Sequence, residues 1–329
     1  MEKFGKSQSV ERREDDRFLT GTGRYVDDTA PMTAMYGYVF RSPYAHGVIK
    51  FLDVEAAEAA AGVHLVLTAK VLEDAGIVGK MEASLLKNQD GQNAPNTDRL
   101  LLAKDKVRFV GEPVAMVVAE SLAQARAAVE MIWLEIDDLP THMEVRPGGT
   151  PLHDKAPNNV AFDWAMGDLE RMDAVKSDAA HLLSFEITDN RIICNSMEPR
   201  GCWADLERGR LHLCVNGQGV WAQKTQLANM FGLSESEIRV TNPDVGGGFG
   251  MKAMSYPEYF LVAQATLMLG KPVRWMSDRS EAMLSDNAGR DLTSTATLTL
   301  NSDFKITGYQ VQTFANMGAY SGQFAQPIQ

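Results

Sequence analysis

The sequence is poor in cysteine, and this excludes several covalently or metal-stabilised folds. Only Cys194, Cys202 and Cys214 occur among its 329 residues. Three scattered cysteines cannot form a disulfide framework. No CxxC pair is present, so the chain lacks the ligand spacing of a zinc site or an iron–sulfur cluster of its own.

Positive charge and long apolar runs are also scarce. The chain has 32 lysines and arginines against 43 acidic residues, which gives a formal net charge of −11. This acidic surplus disfavours nucleic acid or an anionic membrane as the main partner. No run approaches the roughly 20 apolar residues that span a bilayer, and the charged residues 1–13 contain no apolar signal core. We therefore expect a cytoplasmic protein with no transmembrane segment and no nucleic-acid partner.

Two common catalytic patterns are missing as well. The six histidines never lie four residues apart, so no zinc-binding helix is indicated, and no GxSxG sequence occurs. Cys202 is a conceivable nucleophile, but no base can be assigned to it, and a buried thiol is the better interpretation.

The residues that are present predict a globular protein of mixed α/β class. The composition is 45% apolar, 23% charged and 8% aromatic, which is typical of globular chains. Strand and helix patterns alternate along the sequence. Strands are predicted at 36–40, 64–68, 113–120, 211–215 and 238–242, followed by a hairpin at 292–314. Helices are predicted at 53–61, after Ser121, at 220–231, and from Pro257 to Gly270.

Proline and glycine mark one boundary between domains. Six of these residues lie between positions 140 and 157, which is typical of a linker. We therefore predict a first domain over residues 1–145, a linker over 146–165 and a second domain over 166–329. Residues 1–30 are expected to form an irregular arm that packs on the body. The polar segment 76–100 is expected to be a long loop.

A glycine-rich loop, PDVGGGFGMK at 243–252, is the strongest chemical signal. Four glycines occur within five positions, after a predicted strand and before a predicted helix. Glycine permits positive φ and lets backbone N–H groups approach a ligand closely. No GKS or GKT follows, so the loop is not a phosphate-binding Walker loop. It is suited to phosphate or to oxo groups on a metal, whereas a plain strand–helix connection seldom needs so many glycines.

A second glycine turn, GQGVWA at 217–222, permits a rival interpretation. It satisfies the G-x-G-x-x-G/A dinucleotide pattern, and Asp244 follows at a position suited to a ribose-binding acid. The turn is thus consistent with a nicotinamide-dependent dehydrogenase that uses Gly217, Gly219 and Asp244. Alternatively, the amide of Gln218 is held at the strand–helix corner to donate to a ligand. A plain glycine-flanked turn remains open too.

One polar segment, MEPRGC at 197–202, lies between predicted strands. Glu198 and Arg200 are candidates to face a cleft. A surface ion pair is the better interpretation of either residue alone.

Four segments together resemble a known family. They are TGTGRYVDD at 20–28, RSPYAHGVIK at 41–50, VRFVGEPVAMVVAE at 107–120 and PDVGGGFGMK at 243–252. In these segments the chain is similar to the large, molybdenum-binding subunit of the xanthine oxidase family, in its bacterial carbon monoxide, aldehyde and heterocycle dehydrogenase branch. The resemblance covers the N-terminal part of that subunit. It implies an α/β hammerhead domain up to about residue 145, followed by the first of two molybdopterin-binding domains.

The resemblance also implies a chemistry and a set of site residues. Family members hydroxylate an electron-poor carbon with water-derived oxygen. Gln218 would donate a hydrogen bond to an oxo ligand of molybdenum, and Phe249 would line the same catalytic centre. Gly219, Gly247, Gly248, Phe249 and Gly250 would bind the cofactor, largely through backbone amides. No side chain would ligate the metal, which the pterin would hold.

The cofactors and partners implied by the resemblance extend beyond this chain. The cofactor would be molybdopterin cytosine dinucleotide. Electrons would pass to a [2Fe–2S] small subunit and an FAD-binding medium subunit, and the substrate would be a small aldehyde, N-heterocycle or similar molecule. The family's catalytic glutamate and its second molybdopterin-binding domain are expected beyond Gln329. The chain is thus expected to be either a fragment or one half of a split subunit, completed by a second molybdopterin-binding chain.

Two further points keep the alternatives open. Ala253 stands where purine-oxidising members carry a substrate-binding glutamate, which disfavours xanthine as substrate. The cysteine loop that distinguishes the carbon monoxide branch would also lie beyond Gln329. Beside the hydroxylase and the nicotinamide-dependent dehydrogenase, a non-catalytic subunit that scaffolds its partners is the third hypothesis.

Overall fold

The computed structural model describes residues 11–326 and confirms the mixed α/β class. Its strands are β1 (Met35–Arg41), β2 (Gly47–Asp53), β3 (Val63–Thr68), β4 (Lys106–Val107), β5 (Pro113–Ala119), β6 (Trp133–Asp138), β7 (His181–Asp189), β8 (Gly201–Glu207), β9 (Arg210–Val215), β10 (Ile238–Thr241), β11 (Val273–Met276), β12 (Leu292–Leu300) and β13 (Ile306–Ala315). Its α-helices are α1 (Asp15–Leu19), α2 (Glu55–Glu58), α3 (Ala69–Asp74), α4 (Leu122–Val129), α5 (Leu169–Ser177), α6 (Trp221–Phe231), α7 (Pro257–Leu269) and α8 (Arg279–Ser285).

Seven strands form one large sheet in the order β10-β9-β8-β11-β1-β5-β3. Every residue of β5 is buried, which explains why its sequence is a continuous apolar run rather than an alternating one. The predicted strand at 113–120 is therefore confirmed. Ser121 caps the next helix by accepting from the Gln124 N–H, as the sequence indicates.

This sheet contains strands from both sides of the predicted linker. β1 pairs in parallel with β11 through Met35 and Val273. Residues 139–168, which include the predicted linker, contain no helix or strand. The domain boundaries themselves stay a prediction, but the two halves share one hydrogen-bonded sheet.

The unit β9–α6–β10 brings two glycine-containing segments together. β9 and β10 are parallel, with Leu211 opposite Ile238. Helix α6 connects them and ends at Gly232, whose φ of 64° is the left-handed conformation of a helix terminus. Because the carboxyl ends of parallel strands lie at the same edge of a sheet, the segments that follow β9 and β10 meet there.

Helix α7 packs across this sheet as the main buried helix. It starts with Pro257 in its first turn and ends at Gly270, whose φ is 62°, so both predicted end signals are confirmed. Its residues from Pro257 to Thr266 are all buried. Its surface is mostly apolar, as expected of a helix enclosed by protein, and the charge of Glu258 is paired inside the protein.

Two smaller sheets complete the described part of the chain. The first has the order β4-β2-β6, and the second β13-β12-β7. In the second, β12 and β13 form the predicted hairpin, with Leu292 opposite Ala315. Helix α5 packs on one face of this sheet, where the Met172 side chain lies against Gly308.

Some local predictions differ from the structure. The helix predicted at 53–61 is shorter, because only Glu55–Glu58 is helical before the chain turns at Gly62, whose φ is 79°. The predicted irregular arm contains the short helix α1, and its residues 1–10 lie outside the described residues. Segment 76–100 lacks helices and strands, as predicted. No helix between residues 11 and 326 is both long and apolar enough to cross a bilayer.

Candidate functional site

Three loops meet at the carboxyl edge of β9 and β10: residues 194–200, 216–220 and 242–252, here called the site loops. Buried Asn216 connects the first two, because its amide donates to the Pro199 carbonyl at 2.7 Å and its oxygen accepts from the Gly201 N–H at 2.9 Å. Asn242 connects the second and third by donating to the Gly217 carbonyl at 2.6 Å. Side-chain amides therefore fix the relative positions of both glycine segments.

The two glycine segments are also in direct contact through Gln218 and Gly248. A Cβ built on Gly248 would lie 2.6 Å from Cδ of Gln218, so a side chain at position 248 would displace Gln218 from the place it has here. The Gln218 N–H donates to the Lys252 carbonyl at 3.1 Å. The Gln218 side chain is exposed, and its amide forms no hydrogen bond with residues 11–326. The amide is thus held beside the glycine loop and remains able to donate to a ligand.

The glycine loop presents a row of backbone N–H groups without protein acceptors. Within the described residues, the N–H groups of Gly247, Gly248, Phe249 and Gly250 donate to no protein atom. Gly247 and Gly250 have φ of 97° and 81°, which glycine tolerates without strain. Successive N–H groups in such a loop form a concave site for anions or oxo groups.

Phe249 is the unusual residue of this loop. It has a φ of 51° although it is not glycine, a conformation that is disfavoured for a bulky side chain. Its ring lies over Gly247, where an added Cβ would come within 2.9 Å of the ring, and the side chain is 71% exposed. A strained, exposed aromatic residue is a feature of functional sites more often than of ordinary turns.

A buried ion pair supports the loop from below. Lys252 has no exposed surface, and its Nζ donates to the Glu198 carbonyl at 2.7 Å and lies 3.2 Å from Glu198 Oε2. The same carboxylate oxygen accepts from the Gly246 N–H at 2.8 Å, and the Glu198 N–H donates to the Gly246 carbonyl at 3.1 Å. Burial lowers the pKa of Lys252, and Glu198 opposes this shift. Glu198 thus holds the loop in place, and its interpretation as half of a surface ion pair is wrong.

Arg200 is likewise not at the surface. It is completely buried, donates to Glu258 at 2.9 Å and to Asp286, and stacks 3.7 Å from the ring centre of Tyr256. Arg41 donates to the second oxygen of Glu258 at 2.6 Å. Burial alone would raise the pKa of Glu258, but the two guanidinium groups outweigh it and hold that pKa far below its usual range. Arg200 therefore anchors the end of the first site loop inside the protein.

Asp244 binds the N-terminal arm. Its carboxylate accepts from Arg17 Nε at 3.0 Å and from the Arg24 N–H at 2.9 Å. The Arg17 hydrogen bond, with that of Arg24, lowers the pKa of Asp244. The arm therefore packs on the third site loop, as expected. The nicotinamide interpretation needs this carboxylate for a ribose, and here it is already occupied by the chain's own groups.

The other candidates for chemistry are the Cys202 thiol and any cluster of metal-ligating side chains. Cys202 is fully buried, which raises the pKa of its thiol well above the ordinary value, so the buried-thiol interpretation is confirmed. Between residues 11 and 326, no group of three or more His, Cys, Asp or Glu side chains is arranged to hold a metal ion.

The structure therefore brings together Gln218 and all of the glycine-loop residues singled out from the sequence. Sequence reasoning did not single out Asn216, Asn242 or the Lys252 side chain, and it named Glu198 only as a candidate to face a cleft or to form a surface ion pair. For the asparagines a signal existed: Asn beside a turn commonly bonds to nearby backbone. For the buried pair Glu198–Lys252 no local signal exists, because their contact depends on packing between separate loops.

Comparison with known families gives two matches that divide the chain. Residues 152–329 match the model of the molybdopterin cofactor-binding domain. Residues 20–140 match that of the a/b hammerhead domain of aldehyde oxidase and xanthine dehydrogenase. The site loops lie within the first match.

Two curated relatives show the extent of the similarity. The nicotine 6-hydroxylase large subunit of Paenarthrobacter nicotinovorans is 37% identical over 94% of this chain and 38% of that protein. The carbon monoxide dehydrogenase large chain of Hydrogenophaga pseudoflava is 32% identical over 94% of this chain and 39% of that protein. The chain thus spans about two fifths of the length of these relatives.

Two solved structures are similar to this chain over a comparable share of their length. Quinoline 2-oxidoreductase from Pseudomonas putida 86 aligns with a TM-score of 0.82 and 32% identity, over 93% of this chain and 39% of that one. Reconstituted CO dehydrogenase from Oligotropha carboxidovorans aligns with a TM-score of 0.85 and 30% identity, over 93% and 39% of the two chains. Both alignments therefore extend over nearly the whole of this chain.

Proposed function

This chain belongs to the molybdopterin cofactor-binding domain family, and from that premise we propose that it is the cofactor-binding part of a molybdenum hydroxylase large subunit. The predicted division into an arm with a hammerhead domain (1–145), a linker (146–165) and a molybdopterin-binding domain (166–329) forms part of this proposal. The two family matches support the division.

The observation that carries the proposal is the set of free donors at the site. Among residues 11–326, the N–H groups of Gly247, Gly248, Phe249 and Gly250 have no protein acceptor and the side-chain amide of Gln218, which lies directly beside them, forms no hydrogen bond. Oxo groups and phosphates accept such hydrogen bonds, so these residues fit an anionic, oxo-bearing cofactor. When bound, the molybdenum cofactor supplies the redox centre for hydroxylation with oxygen from water.

The chain's own residues have distinct parts in this site. Gln218 donates through its side-chain amide, and the loop 247–250 donates through its backbone. Gly219, with φ of 140°, allows the turn that carries Gln218. The exposed Phe249 ring forms an apolar wall, and Glu198 and Lys252 act as positioning residues beneath the loop. Backbone donors fixed in such a loop need little rearrangement during reaction.

The finer features of the proposal come from the relatives. A nicotine hydroxylase, a quinoline oxidoreductase and a carbon monoxide dehydrogenase are among them. We propose a small aldehyde, N-heterocycle or similar substrate, molybdopterin cytosine dinucleotide as the cofactor, and cytoplasmic location. An FAD-binding subunit, a [2Fe–2S] subunit and a polypeptide that supplies the rest of the large subunit would complete the enzyme.

Molybdenum content tests the proposal directly. The assembly that contains this chain is purified from the organism that encodes it, and molybdenum per chain is measured by elemental mass spectrometry. We expect close to one metal atom per chain. An intact assembly without molybdenum would contradict the hydroxylase function and would favour a scaffold subunit.

The role of Gln218 is tested by Gln218→Ala, with Gln92→Ala in the exposed loop as the matched control. Loss of one preorganised donor lowers turnover about 100- to 1000-fold, measured on whichever of nicotine, quinoline and benzaldehyde the wild-type assembly oxidises. The electron paramagnetic resonance signal of the reduced molybdenum should also shift, and this readout needs no substrate. Failure of the Gln218→Ala assembly to form would instead indicate a structural role.

A further inference from the structure

The three-stranded sheet β13-β12-β7 has one face that is apolar and uncovered. Because successive side chains of a strand point to opposite faces, the register places alternate residues of the three strands on the same side. We call this side the apolar sheet face, and its large side chains are Leu183, Phe185, Ile187, Leu298, Tyr309 and Val311.

The exposure of this face is high for apolar groups. Phe185 is 61% exposed, Ile187 55% and Tyr309 66%. The other face of the same sheet is in part covered by α5, whose Met172 is buried against it. A contiguous exposed patch of this kind marks an interaction surface rather than ordinary solvent-facing structure.

An open strand edge adjoins the same face. β7 is the last strand in its sheet, all nine of its residues are exposed, and no strand among residues 11–326 pairs with its outer side. Natural proteins commonly protect a long edge of this kind with charge, proline or a covering segment. Here the middle of the strand, residues 182–187, contains one charged residue, Glu186, and it points to the other face.

The chemistry of the face selects a polypeptide partner. No charged side chain of the three strands lies on it between His181 at one end and Asp189 at the other, so it offers no positive charge to an anionic ligand or to nucleic acid. Side chains of this composition are those of a domain core or of a permanent interface.

The dimensions of the face decide between two polypeptide partners, a second copy of this chain and a segment that is also held to the chain elsewhere. Three strands of nine to ten residues cover roughly 400 Å², whereas a stable independent interface buries about 800 Å² per partner. A second copy bound through this face alone would therefore be weak. A segment held to the chain by further contacts does not need to bury about 800 Å² on this face alone.

We propose that the apolar sheet face is covered by the rest of the large subunit, the part that the relatives carry outside the region matched here. This inference rests on the proposed function. The relatives are about two and a half times as long as the matched region, so a large partner segment exists in each of them. The covering segment packs on Phe185, Ile187 and Tyr309 and pairs with or shields the outer edge of β7.

Hydroxyl-radical footprinting tests which surface is covered. The chain alone and the assembly from its native organism are oxidised at the same radical dose, calibrated with a reporter peptide. We expect Phe185 and Tyr309 to react at least about fivefold more slowly in the assembly, because interface cores exclude water. Equal rates in the two samples would overturn the proposal. Protection in the chain alone that grows with its concentration would indicate a second copy and would also overturn it.

A charge placed on the face gives a second, independent test. Phe185→Asp should lower the melting temperature of the assembled subunit by about 5 °C or more, because an unpaired carboxylate is then buried. It should leave the melting temperature of the chain alone unchanged. Leu182→Asp, on the same strand but the opposite face and 53% exposed, is the matched control and should alter neither. Equal effects of both variants on the assembly would contradict the proposal.

These measurements distinguish the proposal about the covered surface from the proposal about the hydroxylase function. Molybdenum in an assembly whose Phe185 remains fully reactive would overturn the surface and leave the hydroxylase function standing. Protection of Phe185 in an assembly without molybdenum would overturn the function and leave the covered surface standing.

Discussion

The seven-stranded sheet and the three-stranded sheet distribute polar and apolar groups in opposite ways. Around the large sheet, charged groups such as Arg200 and Glu258 are buried and paired inside the protein. On the small sheet, apolar groups such as Phe185 are exposed to solvent. The first region pairs these buried charges within the chain, and the second leaves large apolar side chains in contact with solvent.

This difference shows where the chain is structurally self-sufficient. The site loops are attached to the large sheet and are anchored by Arg200, Asn216 and Lys252, all of which are buried. The candidate site is therefore anchored by side chains of this chain itself. The small sheet, by contrast, has the features of an interface whose other side belongs to another segment.

The largest expected effect comes from breaking the buried charge cluster. Arg200→Met leaves Glu258 and Asp286 without a main partner, and removing one member of a buried pair lowers the free energy of unfolding by about 3–5 kcal/mol. Urea titration of the chain measures this loss. Arg239→Met, which breaks the exposed pair with Glu207, should change the free energy of unfolding by less than about 1 kcal/mol. Similar losses in the two variants would show that the buried cluster is not a special anchor.

The pH dependence of stability sharpens the same point. The pKa of Glu258 lies far below its ordinary value of 4.5 in the folded chain. Its stabilising contribution is therefore present above about pH 4.5 and is lost as the pH falls toward the folded pKa. We expect Glu258→Gln to be much less stable than wild type at pH 7 and closer to it at pH 3. A constant difference between pH 7 and pH 3, by urea unfolding, would contradict this assignment.

Glu281, a neighbour in the cluster, provides a control of opposite sign. Burial raises its pKa despite the opposing effect of Arg41. Its contribution to stability is present at low pH and declines as the pH rises from about 4.5 through its folded pKa. Glu281→Gln should thus gain stability with pH more steeply than wild type over that range.

The smallest expected effect is that of Phe185→Ala on the apolar sheet face, and Leu213→Ala on the large sheet is the buried comparison. Leu213→Ala, at a fully buried position of β9, should lower the free energy of unfolding by about 2–5 kcal/mol. Phe185→Ala removes a larger side chain but from an exposed position, so we expect a change within about 0.5 kcal/mol for the chain alone. A large loss for Phe185→Ala in the isolated chain would mean that this face is already packed.

The sequence by itself determined much of the local structure. The apolar run at 113–120, the capping Ser121 and the glycines after α6 and α7 each act within a few residues, so their effects could be predicted. The glycine loop and Gln218 were also recognisable, because glycine clusters at strand ends have few other uses. The predicted helix at 53–61 failed at its boundaries, where local propensity was too weak to extend four helical residues.

Only the tertiary structure decided which distant groups meet. The burial of Arg200, the support of the glycine loop by Glu198 and Lys252, and the capture of Asp244 by Arg17 all join segments far apart in sequence. A charged residue in a polar segment is usually solvated, and nothing local distinguishes it from one enclosed by packing. The exposed face of the small sheet has the same origin, since alternation predicts two faces but not which of them the fold covers.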